Sequence, residues 1–135
     1  VMVFYTAGMH LIGHFDNTQS DASQTYTRSV TVGFSTSTSV SISTQHNFEI
    51  NAQFVKAGFS LGFSVSLTNQ WSESRTESVS ITVPKREQAF FYQATLCCRK
   101  MKLDTKTGNC EYISSPEQLL TNVYITTENP IEGAD

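Results

Sequence analysis

Histidine, cysteine and serine are the residues of this 135-residue chain whose types could do chemistry, and their spacing suits none of the usual reactions. His10 and His14 stand four residues apart, a metal-binding interval on a helix. The run around them, VMVFYTAGMHLIGHF, is β-branched and aromatic, and on a strand the two imidazoles share a face roughly 13 Å apart. Cys97 and Cys98 are adjacent and Cys110 follows across RKMKLDTKTGN. An odd count without Cys-x-x-Cys spacing does not fit zinc. A bridge from Cys98 or Cys97 to Cys110 across a hairpin would suit an oxidising compartment; three free thiols are the alternative. No nucleophile–base pair, paired carboxylates or glycine phosphate loop stands out. Serine is read as a repetitive strand face outside any Gly-x-Ser-x-Gly elbow. The reading is therefore non-enzymatic, with no cofactor and no metal.

The elements that would position these residues come from a period of two. From Phe59 to Val83 every even position is Ser, Thr, Gly or Gln, while the odd positions begin Phe59, Leu61, Phe63, Val65, Leu67. The same device runs from Val30 to Phe54 with the parity reversed: even positions hold Val, Phe, Ile and Ala interrupted by Thr36, Thr38, Thr44 and His46, and odd ones hold Thr, Gly, Ser, Gln, Asn and Glu. Such alternation marks β-strands with two chemically distinct faces. VKAG (Val55–Gly58) reads as the turn, glycine supplying φ > 0. If Phe54 faces Phe59, one register runs the length of the hairpin: Ile50 meets Phe63, Phe48 meets Val65, Phe34 meets Val79 and Val30 meets Val83. All apolar residues then share one side. Pro84 ends the ladder because it lacks an N–H.

The rest reads as further strands. VMVFYTAGMHLIGHF opens the chain, Asp16–Gln24 is a polar connection, EQAFFYQATLCCRKMKL is a strand, DTKTGN a turn, CEYIS its return and NVYITTENP the last strand. Ser115 and Pro116 are expected to open a short helical turn, and the tail IEGAD to fray. The expectation is a single all-β domain over residues 1–135: an elongated, twisted antiparallel sheet with a long Ser/Thr-rich hairpin over about 30–83. The opening Val1 reads as a processed or excised piece, and no signal peptide is visible. Net charge is −3, which leaves no basic footprint for nucleic acid.

Length gives the hairpin a meaning. Arms of about 25 residues span roughly 80 Å when extended, against a radius of gyration of ~14 Å for a compact chain of this size. Either the protein is elongated, or the tip folds back and later extends. Apolar side chains concentrate near the tip. His46, Phe48, Ile50, Ala52, Phe54, Phe59, Leu61, Phe63, Val65 and Leu67 form a band of ~9–11 residues per arm, the length of a transmembrane β-strand. Asn47, Glu49, Asn51, Gln53, Ser60, Gly62, Ser64 and Ser66 supply the opposite face, suited to a watery lumen or to an ordinary solvated sheet. Val55, Lys56, Ala57 and Gly58 form the tip, and Trp71 falls where an interfacial girdle would lie. A lone hairpin would leave unpaired backbone groups in lipid, so insertion requires a closed ring of copies.

This order of features resembles the pore-forming module of the aerolysin-like β-pore-forming toxins. The features are QTYTRSVTVGFSTSTSVSIST, the amphipathic NFEINAQFVKAGFSLGFSVSL, and NQWSESRTESVSITVP closing on Pro84. The resemblance implies a secreted soluble protein that binds a target-cell membrane through an unknown receptor (glycan, lipid or protein), forms a homo-oligomeric ring and extends the hairpin into a transmembrane barrel. His46 to Leu67 matches the family's inserting segment. No receptor-binding domain is seen beside the module, and Lys56 at the tip departs from an uncharged crossing. Glu73, Arg75 and Glu77 alternate in sign and are candidate subunit contacts, or a solvated ion-pair strip. Arg28, Lys85 and Arg86 sit near the hairpin base, as a head-group contact or a solvated rim. The alternative function is a non-lytic β-rich binding or structural module, lectin-like or a stalk.

Overall fold

Alternating and β-branched runs become strands throughout. The computed structural model describes residues 2–34, 48–56, 58–67, 74–112, 116–132 and 134, and among them the fold is all-β and antiparallel. The strands are β1 (Met2–Asp16), β2 (Gln24–Phe34), β3 (Phe48–Lys56), β4 (Phe59–Leu67), β5 (Arg75–Val83), β6 (Gln88–Leu103), β7 (Cys110–Tyr112) and β8 (Glu117–Thr127). One sheet has the order β1-β6-β8-β2-β5, with β7 paired to the far end of β6. β3 and β4 form a separate two-stranded sheet.

β6 is the axis. Flanked by β1 and β8 and covered on both faces, it buries Phe91, Tyr92, Ala94, Leu96 and Cys98, which explains a continuous apolar run where an outer strand would alternate. Met9 and Phe15 of β1, Val30, Val32 and Phe34 of β2, Val83 of β5 and Leu119 of β8 join the core, as do Phe54 of β3, Phe63 and Val65 of β4, Ala89 of β6 and Ile131. β1 follows β6 with extra residues at Tyr5 and Ile12, bulges that break the regularity of an outer edge.

β2 changes partner along its length. Gln24–Val32 pairs with β5, and Gly33 and Phe34 pair with Leu120 and Leu119 of β8. Gly33 turns the strand at φ 125, where a side chain would be strained. The seam is tied by Gln93, whose buried side-chain amide donates to the carbonyls of Thr31 and Thr121 at 2.9 and 2.8 Å. At the other end, the amide of Asn17 reaches the carbonyls of Ala22, Val83 and Pro84, holding the Asp16–Gln24 connection onto the end of β5.

Several expectations need correction. The single-register hairpin of 30–83 is not found. At the base Val30 faces Glu77 and Val83 faces Gln24; at the tip Phe54 faces Leu61 and Ile50 faces Val65. Sixteen positions separate Val32 from Phe48 on one arm, but only eight separate Leu67 from Arg75 on the other, so the two ladders are offset by eight residues. The expected helical turn gives way to a strand starting at Glu117; Pro116 suits a strand's first flank as well as a helix start, and Ser115 lies outside the described residues. The tail does not fray at Ile131, which is buried and donates its N–H to the Tyr92 hydroxyl at 2.8 Å. No bridge joins Cys98 or Cys97 to Cys110. All three are free, because β7 places Cys110 opposite Leu103, well past Cys98.

Candidate functional site

The tip hairpin is built on a two-residue connection. Lys56 pairs with Phe59, and Gly58 takes φ 83 between them, a geometry that glycine accepts without strain. Val55 and Lys56, expected in the turn, therefore belong to β3; Ala57 lies outside the described residues. Nine cross-strand pairs follow, from Lys56–Phe59 to Phe48–Leu67.

The ladder sets two faces, and the tip breaks their pattern: Lys56, paired with Phe59, falls on the apolar side, and Val55, paired with Ser60 and 64% exposed, on the polar side. Ile50, Ala52, Phe54, Phe59, Leu61, Phe63 and Val65 lie on one side, with Phe54, Phe63 and Val65 only 5%, 9% and 1% exposed. Glu49, Asn51, Gln53, Ser60, Gly62, Ser64 and Ser66 lie on the other, all exposed. There Gln53 donates to Ser60 at 2.8 Å and Ser64 to Asn51 at 2.6 Å. Phe54 and Phe59 meet as tilted rings 6.1 Å apart. Phe48 and Leu67 close the ladder as a backbone pair, while His46, Asn47, Trp71 and Glu73 lie outside the described residues.

The apolar face lies folded back on the main sheet. Ile50–Gln53 run beside Phe4–Ala7 of β1 and Leu96 of β6. Phe54–Lys56 run beside Thr6–Met9, Thr95, Cys97 and Gln118. The turn at Gly58 and Phe59 rests near Thr127–Glu132. A Cβ at Gly8 would stand 2.7 Å from the hydroxyl oxygen of its β6 partner Thr95, so glycine there lets β1 and β6 pair closely. Among the described residues no backbone ladder joins β3 or β4 to the larger sheet, and side-chain burial holds the hairpin there.

Gly58-Phe59-Ser60-Leu61-Gly62 does carry the Gly-x-Ser-x-Gly spacing that the sequence reading passed over. The motif needs a sharp strand-to-helix turn. Here it runs from a hairpin turn into β4, and Ser60 is a member of the exposed polar face. It supplies no nucleophile elbow.

Arg75 and Glu77 bind each other at 3.0 Å on one face of β5, and the Tyr124 hydroxyl of β8 approaches Glu77 at 3.4 Å. Burial, with Glu77 adding to it, pushes the Tyr124 hydroxyl up to about 12. Of the basic residues near the hairpin base, Arg28 donates to the Ile12 carbonyl and covers the Phe15 ring, and Arg86 pairs with Asp21. His14 stacks on Phe90 and meets Gln88. No group of three or more metal-ligating side chains occurs among the described residues. The seam residues Gln93, Thr121 and Thr31 were missed; the signal was one amide inside the apolar run AFFYQATLCC.

No protein-family model matches the chain, and neither the curated proteins nor the solved structures give a match.

Proposed function

We propose that this chain is a pore-forming protein of the aerolysin-like kind, which assembles on a target membrane and contributes one hairpin per copy to a transmembrane β-barrel. The observation that carries this reading is that β3–β4 forms a sheet of its own, joined to the common core through side chains. Its strands are nine residues each, long enough to cross a bilayer; apart from Lys56 and Val55 at the tip, one face is apolar and the other polar; and among the described residues no backbone ladder ties it to the larger sheet.

Energetics supports the same reading. Burying the six large apolar side chains from Ile50 to Val65 is worth on the order of 10 kcal/mol at ~1.5–3 each. Lipid offers nearly the same gain as the protein surface they leave. Transfer is then close to balanced, and closure of the hairpin edges against neighbouring copies supplies the direction. The polar face becomes the lumen without any change of side chain.

The test is dye release from liposomes and from whole-cell membranes, with and without added protease, alongside gels for SDS-resistant oligomers. Release with a ring-sized band is expected. Ile50→Asp should abolish release and Asn51→Asp should retain it, both with unchanged circular dichroism. A chain that leaves every membrane intact, or an Ile50→Asp variant that still releases dye, assigns the protein to the non-lytic binding modules instead.

A further inference from the structure

The end of the sheet that carries β7 has a composition of its own. Residues 99–112 hold Arg99, Lys100, Lys102 and Lys106, four of the nine Lys and Arg of the chain, against two of its twelve acids, Asp104 and Glu111. This stretch is net positive in a protein of net charge −3. Asp104 is engaged within the turn, its carboxylate accepting from the amides of Lys106 and Thr107; these bonds hold it below the usual carboxylate range. Glu111 stands opposite Lys102 on one face of the β6–β7 hairpin. The other face pairs Met101 with Tyr112 and Leu103 with Cys110. Leu103 and Tyr112 are 49% and 46% exposed, two of the five large exposed hydrophobics among the described residues. The Arg99 guanidinium sits 4.3 Å above the Tyr112 ring.

Topology gives this hairpin a direction. β6 is antiparallel to β8 and β8 to β2, so β2 and β6 run the same way. The end where β2 finishes at Phe34 and β5 begins at Arg75 is therefore the end where β6 reaches Leu103. β2 ends and β5 begins on that side, whereas the tip at Gly58 rests beside Thr127–Glu132, past the other end of β8. A hairpin that swings outward projects past β6–β7.

We propose that the β6–β7 hairpin is the membrane-docking surface of this protein, and that its partner is a bilayer rich in anionic lipid. Lys102 and Lys106 meet the negative surface potential, while Leu103 and Tyr112 enter the interfacial region, where an amphipathic ring is at home. The proposal rests on the pore-forming reading, for it orients the chain so that insertion proceeds into the surface already bound.

Vesicle flotation tests it apart from lysis. Wild-type protein is mixed with phosphatidylcholine vesicles, or with vesicles containing a quarter phosphatidylserine, at low and high salt. Binding is expected to be at least tenfold stronger with phosphatidylserine and to weaken with salt. Lys102→Gln with Lys106→Gln should lower it about 25-fold, roughly fivefold per lysine, and Leu103→Ser should lower it further. Lys85→Gln, at the opposite end, should leave it unchanged. Circular dichroism and melting temperature check that the variants fold. Equal binding to both vesicles, no binding to either, or an equal loss from Lys85→Gln overturns the docking surface. Binding without dye release would sink the pore reading and leave this surface standing; release at full rate from phosphatidylcholine alone would do the reverse.

Discussion

The side-chain nitrogen of Gln93 lies 2.8 Å from the carbonyl oxygen of Thr121, and the same nitrogen lies 2.9 Å from that of Thr31. One amide thus spans the point where β2 parts from β8 and continues with β5. Thr121 sits in an irregular stretch of β8, its hydroxyl donating to the Ala94 carbonyl at 2.6 Å. Gln93→Met keeps the volume and withdraws the donor from both carbonyls. We expect a loss of about 2–4 kcal/mol from leaving buried acceptors short of a partner, read as a lower urea midpoint. An unchanged midpoint would mean that the seam does not depend on this amide.

A second expectation concerns pH. Burial, reinforced by Glu117 and Cys97, pushes the Cys98 thiol up to about 12 from 9.0, and the Tyr124 hydroxyl rises to about 12 from 10.0. The folded chain keeps both protons in a range where the unfolded chain sheds them. Stability from these groups is whole below about pH 9 and falls as pH climbs toward 12. Melting temperatures should decline across that window, and Tyr124→Phe should flatten the upper part of the decline.

The thiols should also separate by reactivity. Cys110 is exposed, Cys97 half-buried and Cys98 buried. Alkylation followed by mass spectrometry should label Cys110 first, Cys97 more slowly and Cys98 only on unfolding, since the thiolate is the reactive form. Early labelling of Cys98 would contradict its place in the core. Reducing agents should leave the melting temperature unmoved.

Tyr92 and Ile131 define a third site. Tyr92→Phe removes the acceptor for the buried Ile131 N–H, at a cost of about 1–2 kcal/mol. The measurable sign is faster proteolysis of the C-terminal segment at low protease. A cutting rate equal to that of wild type would show that the apolar contact of Ile131 holds the segment alone.

On the pore-forming reading, extension remakes the base ladder, so fixing that ladder should stop it. Thr27 and Ser80 face each other across β2 and β5 with their hydroxyl oxygens 2.9 Å apart. Cysteines at both positions, in a Cys110→Ser background, should form a disulfide. Oxidised protein should release dye at least tenfold more slowly than the same protein after reduction. Equal rates would mean that the base ladder survives in the pore.

Much of this fold was legible because alternation is a strong signal. From Ile50 to Phe54 and from Phe59 to Val65 the residues share faces as the alternation groups them, since a two-residue period leaves no freedom in this; Val55 and Lys56, read as turn, instead extend β3 with the pattern reversed. Register is another matter. A four-residue turn at Val55–Gly58 placed Phe54 opposite Phe59, whereas the two-residue turn sets it opposite Leu61. That shift is even, so every face survived the error. At the base, Val30 has Glu77 as its partner in place of Val83, and alternation carries no mark by which one Ser/Thr-lined register can be told from another. Pro116 misled because its fixed φ and missing N–H suit a helix start and a strand flank alike. Gln93 was overlooked because a buried amide acquires meaning only when the carbonyls around it are known.

On the pore-forming reading, the eight-residue difference between the two arms becomes a stroke length. Continued unbroken toward the base, the tip ladder would bring Val32 to Val83, where it now meets Arg75. That is a travel of roughly 27 Å at ~3.4 Å per residue. An odd excess would have turned one arm over and sent its apolar residues to the wet side. Eight is four full pleats. An exchange of one register for the other, which that reading requires, would therefore keep inside and outside preserved.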